Sequence, residues 1–242
     1  MVSNNHETEE TRIRAAYARR KGDDVLYSWF SPGHLFMLQE RERLVLTLLK
    51  QHNFGVLTTK KILEIGCGTG SWLREFIKWG ARPENIIGVE LIPEHVAEAK
   101  RLCPSGIKIE CGSAAKLPFS DETFDLILQS TVFTSILDSE MKQRVATEMI
   151  RVLKKEGVIL WYDYHVNNPW NPDVRGVKKR EIHRLFDGCR IDLQRITLAP
   201  PLVRLLAPYS WLASYCLAKI PLLCTHYLGL IETGNAYGCK GS

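Results

Sequence analysis

Five short apolar runs, Lys61–Ile65, Asn85–Glu90, Ile107–Cys111, Phe124–Gln129 and Gly157–Asp163, recur between Lys60 and Asp163 with amphipathic stretches between them. Runs of this length, spaced widely enough for a crossover, specify an α/β chain: a mostly parallel sheet with helices on both faces. The stretches between them read as the crossover helices. Ser71–Trp79 sets Trp72, Leu73, Phe76 and Ile77 at helical intervals, Pro93–Leu102 opens with proline in its first turn, and Glu140–Leu153 places Val145, Met149, Val152 and Leu153 on one side. Basic residues and a glycine in Lys154–Gly157 are expected to stop the last of these helices before the fifth strand begins.

Upstream, Thr11–Arg20 and Pro32–Gln51 read as helices, the second introduced by Ser31 and Pro32. The organisation expected is an N-terminal helical lid over residues 1–58 and one domain over 59–242. Downstream, Asn167–Val177 carries loop chemistry, Lys178–Phe186 a short helix, Cys189–Leu198 a sixth strand and Thr225–Glu232 a seventh. An apolar insertion cut by prolines, expected to be helical, fills about 199–224 before the last strand.

Composition sets outer limits. With 242 residues, 45% of them apolar and 24% charged, the chain can bury a sizeable core and is not a disordered or collagen-like one. A net charge of +5 is too small to argue for nucleic acid. The seven cysteines form no Cys-x-x-Cys pair, so neither a metal site nor a disulfide framework is indicated. With no long apolar run and no signal-like start, the expected location is cytoplasmic.

The strongest local signal is Ile62-Leu63-Glu64-Ile65-Gly66-Cys67-Gly68-Thr69-Gly70, an apolar strand running into alternate glycines and then a helix. Glycine is needed where a backbone turns tightly and a ligand lies against the main chain. Ser71 replaces the last glycine of a dinucleotide fingerprint, and Glu64 stands just before the first. An acid there repels a pyrophosphate and suits a ligand with a cationic amino or sulfonium group, with Glu90 at the end of the next strand available for ribose hydroxyls.

From these residues, together with Ser113-Ala114, Leu117-Pro118-Phe119, Asp121–Asp125 and Arg151–Gly157 at successive stations, the chain resembles the class I S-adenosylmethionine-dependent methyltransferases over roughly Lys60 to Tyr164. The resemblance implies a Rossmann-like seven-stranded sheet with the last strand antiparallel, and S-adenosylmethionine as cofactor. It further implies that Glu64, Gly66, Cys67, Gly68 and Gly70 hold the methionine portion, Glu90 the ribose, and Leu91 and Ile92 the adenine. Ser113 takes the place where the family often has an acid, beside Ala114, while Gln129, Ser130 and Thr131 face the methyl end.

A base or orienting group is expected among Asp163, His165 and His34, with Tyr17, Tyr27, Thr131 and Tyr164 at the substrate. Gln129–Val132 differs from the Pro-Pro tetrapeptide of nucleic-acid methyltransferases, so the acceptor expected is a small molecule, a glycan sugar or a natural-product intermediate. A lipid or quinone precursor is the alternative, and a non-catalytic cofactor-binding partner subunit another. The 199–224 insertion is expected to wall the acceptor pocket or to form a dimer contact in a monomer-or-homodimer protein. Contact with a membrane surface, aided by Lys178–Arg184, is a further reading; between Pro208 and Pro221 a helix reaches about 18 Å, short of a bilayer core of about 30 Å.

Overall fold

The computed structural model describes residues 4–19 and 28–233. Seven strands, β1 (Ile62–Ile65), β2 (Ile86–Glu90), β3 (Lys108–Cys111), β4 (Phe124–Ser130), β5 (Leu153–Tyr164), β6 (Cys189–Leu198) and β7 (Cys224–Thr233), form one sheet in the order β3-β2-β1-β4-β5-β7-β6. The first five pair in parallel, and β7 runs antiparallel between β5 and β6. The strand order reverses at β1, where the open crevice of such a sheet receives ligands.

The helices are α1 (Asn4–Ala18), α2 (Pro32–Gln51), α3 (Ser71–Lys78), α4 (Pro93–Leu102), α5 (Ser139–Val152), α6 (Lys179–Leu185), α7 (Pro200–Leu206) and α8 (Trp211–Ala218). Because side chains alternate along a strand, Leu63 and Ile65 of β1 join a core cluster with Val145 and Met149 of α5, whereas Ile62 joins Val45, Leu48 and Leu49 of α2 and Phe76 of α3. Of the expected 1–58 lid, then, α2 supplies core to one face of the sheet. Over the loops lies α1, with the Arg12 guanidinium donating to the Ser135 carbonyl at 2.6 Å and Glu9 accepting from Leu137 N.

One expectation about local structure is corrected. Lys154–Gly157 is not a helix stop: α5 ends at Val152 and β5 starts directly at Leu153. The register with β4 jumps from Phe124↔Leu153 to Leu126↔Val158, and Lys154 Nζ pairs with Asp125 at 2.9 Å across the irregularity. Gly157 is small because a Cβ there would press on Leu153 and the Asp125 carbonyl, not because its φ is positive. The 199–224 insertion folds as α7, α8 and a 3₁₀ turn at Pro221–Leu223. Among the described residues no helix is long and apolar enough to cross a membrane.

Gly229 sits in the middle of β7, opposite Trp161 of β5 and Leu193 of β6, where a Cβ would collide with the Asp192 carbonyl oxygen. A strand paired on both sides cannot retreat without breaking a ladder. Gly229→Ala is therefore expected to cost about 3 kcal/mol or more, read as a fall in the denaturant midpoint at constant slope. An unchanged midpoint contradicts this packing.

Candidate active site

At the carboxyl ends of β1, β2 and β4 the loops enclose a cavity of about 1110 Å³. Gly66 and Gly68 line it with φ of 62° and 52°, in the left-handed region where a side chain is strained. A Cβ on Gly66 would meet Val132 Cγ2 at 2.5 Å, whereas one on Gly68 meets nothing within 4 Å and would project into open space. Gly70 differs from both. It does not line the cavity, and its Cβ would strike Cys103 Sγ at 2.5 Å, so its smallness serves the packing of the α3 start. Cys67 lines the cavity as a thiol; burial, then the nearby Glu64 and Glu90 carboxyls, push its pKa far up, which leaves it inert as a nucleophile.

Two carboxyl groups flank the loop. Glu90, at the end of β2, accepts from Gly68 N at 2.8 Å with one oxygen and from Ile92 N at 2.9 Å with the other, so its carboxylate is fixed against the loop. Glu64 is buried, and its Oε2 has no hydrogen-bond partner among the described residues. Burial, and then the charge of Glu90, raise its pKa well above the ordinary carboxylate range, against the pull of Arg41 and Arg74. A buried polar atom left without a partner costs roughly 1–3 kcal/mol, a cost that a donor from outside the chain would relieve.

Leu91, Ile92, Ser113, Ala114, Ser130 and Thr131 also line the cavity, as expected from their places after β2, β3 and β4. Gln129 does not: its side chain is fully buried, and its Oε1 accepts from Val132 N, bracing the turn after β4. Thr131 holds a φ of 58°. For a β-branched residue this is a strained conformation of about 1–3 kcal/mol, of the kind that accumulates at functional sites. Its carbonyl accepts from the Thr134 and Ser135 hydroxyls, which keep it there.

The expected bases divide by strand parity. Asp163 and His165 lie at odd positions of the β5 end and turn away from the cavity. The Asp163 carboxylate accepts from Thr134 N, Thr134 Oγ1 and Tyr164 N, and His165 Nε2 bonds the Cys224 carbonyl at 2.9 Å. The even positions, Tyr162 and Tyr164, face the cavity. Of the three groups only His34, on α2, lines it; burial, then Arg41 and Arg204, lower its pKa and hold it neutral near pH 7. Tyr17 lines it from α1, edge-on to His95 at 5.7 Å, while Tyr27 lies outside the described residues.

Several cavity residues were not anticipated from the sequence. His226 of β7 stacks on Tyr162 with centroids 4.6 Å apart; burial, then Arg41 and His165, depress its pKa to about 3, so it is a neutral wall. Thr197, with a φ of 64°, shares a hydrogen bond with the Tyr162 hydroxyl at 3.1 Å. Arg41 of α2 lies over Trp72 at 4.2 Å, and Arg204 comes from α7. His34, Met37, Leu38 and Arg41 follow an i, i+3, i+4, i+7 spacing, the one signal that could have placed Arg41 on the same helix face as His34. From the insertion, α7 lends Pro200, Pro201 and Arg204 to the cavity, whereas α8 contributes nothing and exposes Trp211, Leu212 and Tyr215.

Comparison with known proteins bears on what such a site belongs to. A family model described as a methyltransferase domain matches residues 62–157. A protein of Aspergillus fumigatus named sterol 24-C-methyltransferase is 26% identical over 196 residues, covering 71% of this chain and 50% of the relative. Among solved structures, one named a [4+2]-cyclase, SpnF, aligns with a TM-score of 0.60 at 19% identity, covering 81% of this chain and 82% of that one. A SAM-dependent methyltransferase from Methanosarcina mazei aligns with a TM-score of 0.55 at 16% identity, covering 76% and 96%. At such identities the two structures speak for the fold alone. The chain spans about half the length or less of the first curated relatives it matches. The sheet order and the glycine loop agree with the family match, and residues 62–157 form a methyltransferase domain.

Proposed function

We propose that this chain transfers a methyl group from S-adenosylmethionine to a small acceptor bound beside the cofactor, between α2, α7 and the β5–β7 end of the sheet. The observation that carries the reading is the buried, unpartnered Glu64 oxygen next to a glycine whose missing side chain leaves open space, with Glu90 fixed across the loop. These residues fit the cofactor. Glu64 receives its ammonium group, the backbone of Gly66–Gly68 lies along its methionine portion, and Glu90 has lone pairs left for ribose hydroxyls. Leu91 and Ile92 flank the adenine, and Ser113 offers it a hydroxyl.

Bound S-adenosylmethionine supplies an activated methyl on a sulfonium, so the protein is left to align the acceptor, exclude water and, for a hydroxyl acceptor, take up a proton. His34 is the group with access and protonation state for that uptake. Tyr17, Thr131 and Tyr164 line the acceptor's approach. The aromatic wall of Tyr162, Tyr164 and His226 accommodates a ring or another flat apolar body, which suits a natural-product intermediate, a sugar face or, in keeping with the sterol-named relative, a lipid precursor.

The test is methyl transfer itself. Purified protein is incubated with S-adenosylmethionine and panels of sugars, phenolic natural products, quinone precursors and sterols, and release of S-adenosylhomocysteine is measured. Turnover with one such class is the expected result. Cofactor binding without turnover on any panel would favour a partner-subunit role, and failure to bind the cofactor would overturn the reading.

A further inference from the structure

Arg41 and Arg204 both line the acceptor half of the cavity, and each keeps a buried Nε with no hydrogen-bond partner among the described residues. Neither belongs to an ion pair there, whereas the guanidinium groups of Arg12 and Arg151 are paired with carboxylates. Two acids that feel the Arg41 charge are engaged elsewhere or held uncharged. Glu42 is taken by Lys78 and the Trp79 indole, and Glu64, across the cavity, is held toward its uncharged form by burial. His34 lines the same cavity, and burial, then Arg41 and Arg204, lower its pKa.

The backbone brings together the two helices that carry these arginines. Gly33 lets α2 approach α7 so closely that a Cβ would lie 3.0 Å from the Arg204 Cα, and Arg41 is stacked on Trp72 and Tyr162. Guanidinium groups positioned in this way, with unsatisfied N–H donors in a partly desolvated cleft, recognise oxyanions.

We infer that the methyl acceptor carries a compact oxyanion, a phosphate or carboxylate group, which this cavity holds between Arg41 and Arg204. The inference rests on the methyl-transfer reading, and it narrows the acceptor from any small molecule to an anionic one. The flat aromatic wall takes the rest of the acceptor, and His34 lines the same cavity.

Calorimetry with phenyl phosphate, benzoate and phenol in the presence of S-adenosylhomocysteine tests it, since the three share a ring and differ in charge. Phenyl phosphate or benzoate is expected to bind at least about tenfold more tightly than phenol, and Arg204→Gln is expected to abolish that preference. Arg41→Gln is expected to do the same, but it also changes the field at Glu64, so Arg204→Gln is decisive. Vesicles of phosphatidylcholine with and without phosphatidic acid separate a lipid-borne phosphate from a free one. Capture by phosphatidic acid vesicles alone, lost in Arg204→Gln, would make the oxyanion a lipid headgroup. Phenol binding as well as the anions, anion binding indifferent to Arg204→Gln, or no anion binding in either format by a protein that binds S-adenosylhomocysteine would each overturn the inference. Absence of S-adenosylhomocysteine binding would instead count against the methyl-transfer reading.

Discussion

Titration of the Glu90→Ala variant with S-adenosylhomocysteine is expected to show an affinity at least about 100-fold below that of the parent protein. The carboxylate acts twice. It would accept both ribose hydroxyls, each charge-assisted bond contributing roughly 1.5–3 kcal/mol, and it also pins Gly68 N and Ile92 N on the two sides of the site. Removing it takes away the ligand's partners and leaves two backbone donors loose at the point where the loop must be shaped. Circular dichroism on the same sample establishes that the sheet is intact. An affinity within threefold of the parent's, in a folded protein, would remove Glu90 from the cofactor site.

The second large effect concerns stability and Asp163. Burial raises its pKa from an ordinary value near 4 to about 7, although three hydrogen bonds, from Thr134 Oγ1, Tyr164 N and Thr134 N, pull the other way. A carboxyl whose folded pKa lies above its unfolded one contributes stability that is full below pH 4 and lost as the pH rises through about 7. Three pKa units correspond to at most about 4 kcal/mol. Relative to Asp163→Asn, which does not titrate, the parent protein is therefore expected to lose stability between pH 4 and 7 and to hold a constant difference above about pH 8. Urea unfolding at a series of pH values reads this directly, and a difference that stays level from pH 4 to 8 would show that Asp163 ionises normally in the folded chain. Because the Asp163 bonds also hold the turn behind the strained Thr131, the same variant is expected to loosen the methyl-facing end of the site.

Much of the architecture was written in the local pattern. Apolar runs at crossover spacing are enough to specify a parallel sheet, because only burial on both faces allows such runs, and the glycine loop marks its ligand end. Thus Glu64, Gly66, Gly68 and Glu90 were legible: each is required by the local path of one strand and the turn that follows it. Gly70 shares the alternate spacing of the ligand glycines; what fills the space beside it, the Cys103 sulfur of another element, is decided only by packing.

The acceptor half was hidden for a different reason. β5 is apolar on both faces, so its sequence carries no alternation to say which parity faces the cavity, and Asp163 and His165 looked as eligible as Tyr162 and Tyr164. Tertiary structure settled the parity through the register with β7, which sets His226 against Tyr164. Arg41 and Arg204 stand 163 positions apart, one on a helix whose neighbouring residues build the core and one in an insertion that read only as apolar. The sequence by itself determined the fold and the glycine-loop side of the cavity, since those follow from short-range periodicity and backbone geometry. The charge and shape of the acceptor side were decided by the tertiary structure, because they arise where α2, α7 and β7 meet, and no local pattern records a meeting of distant elements.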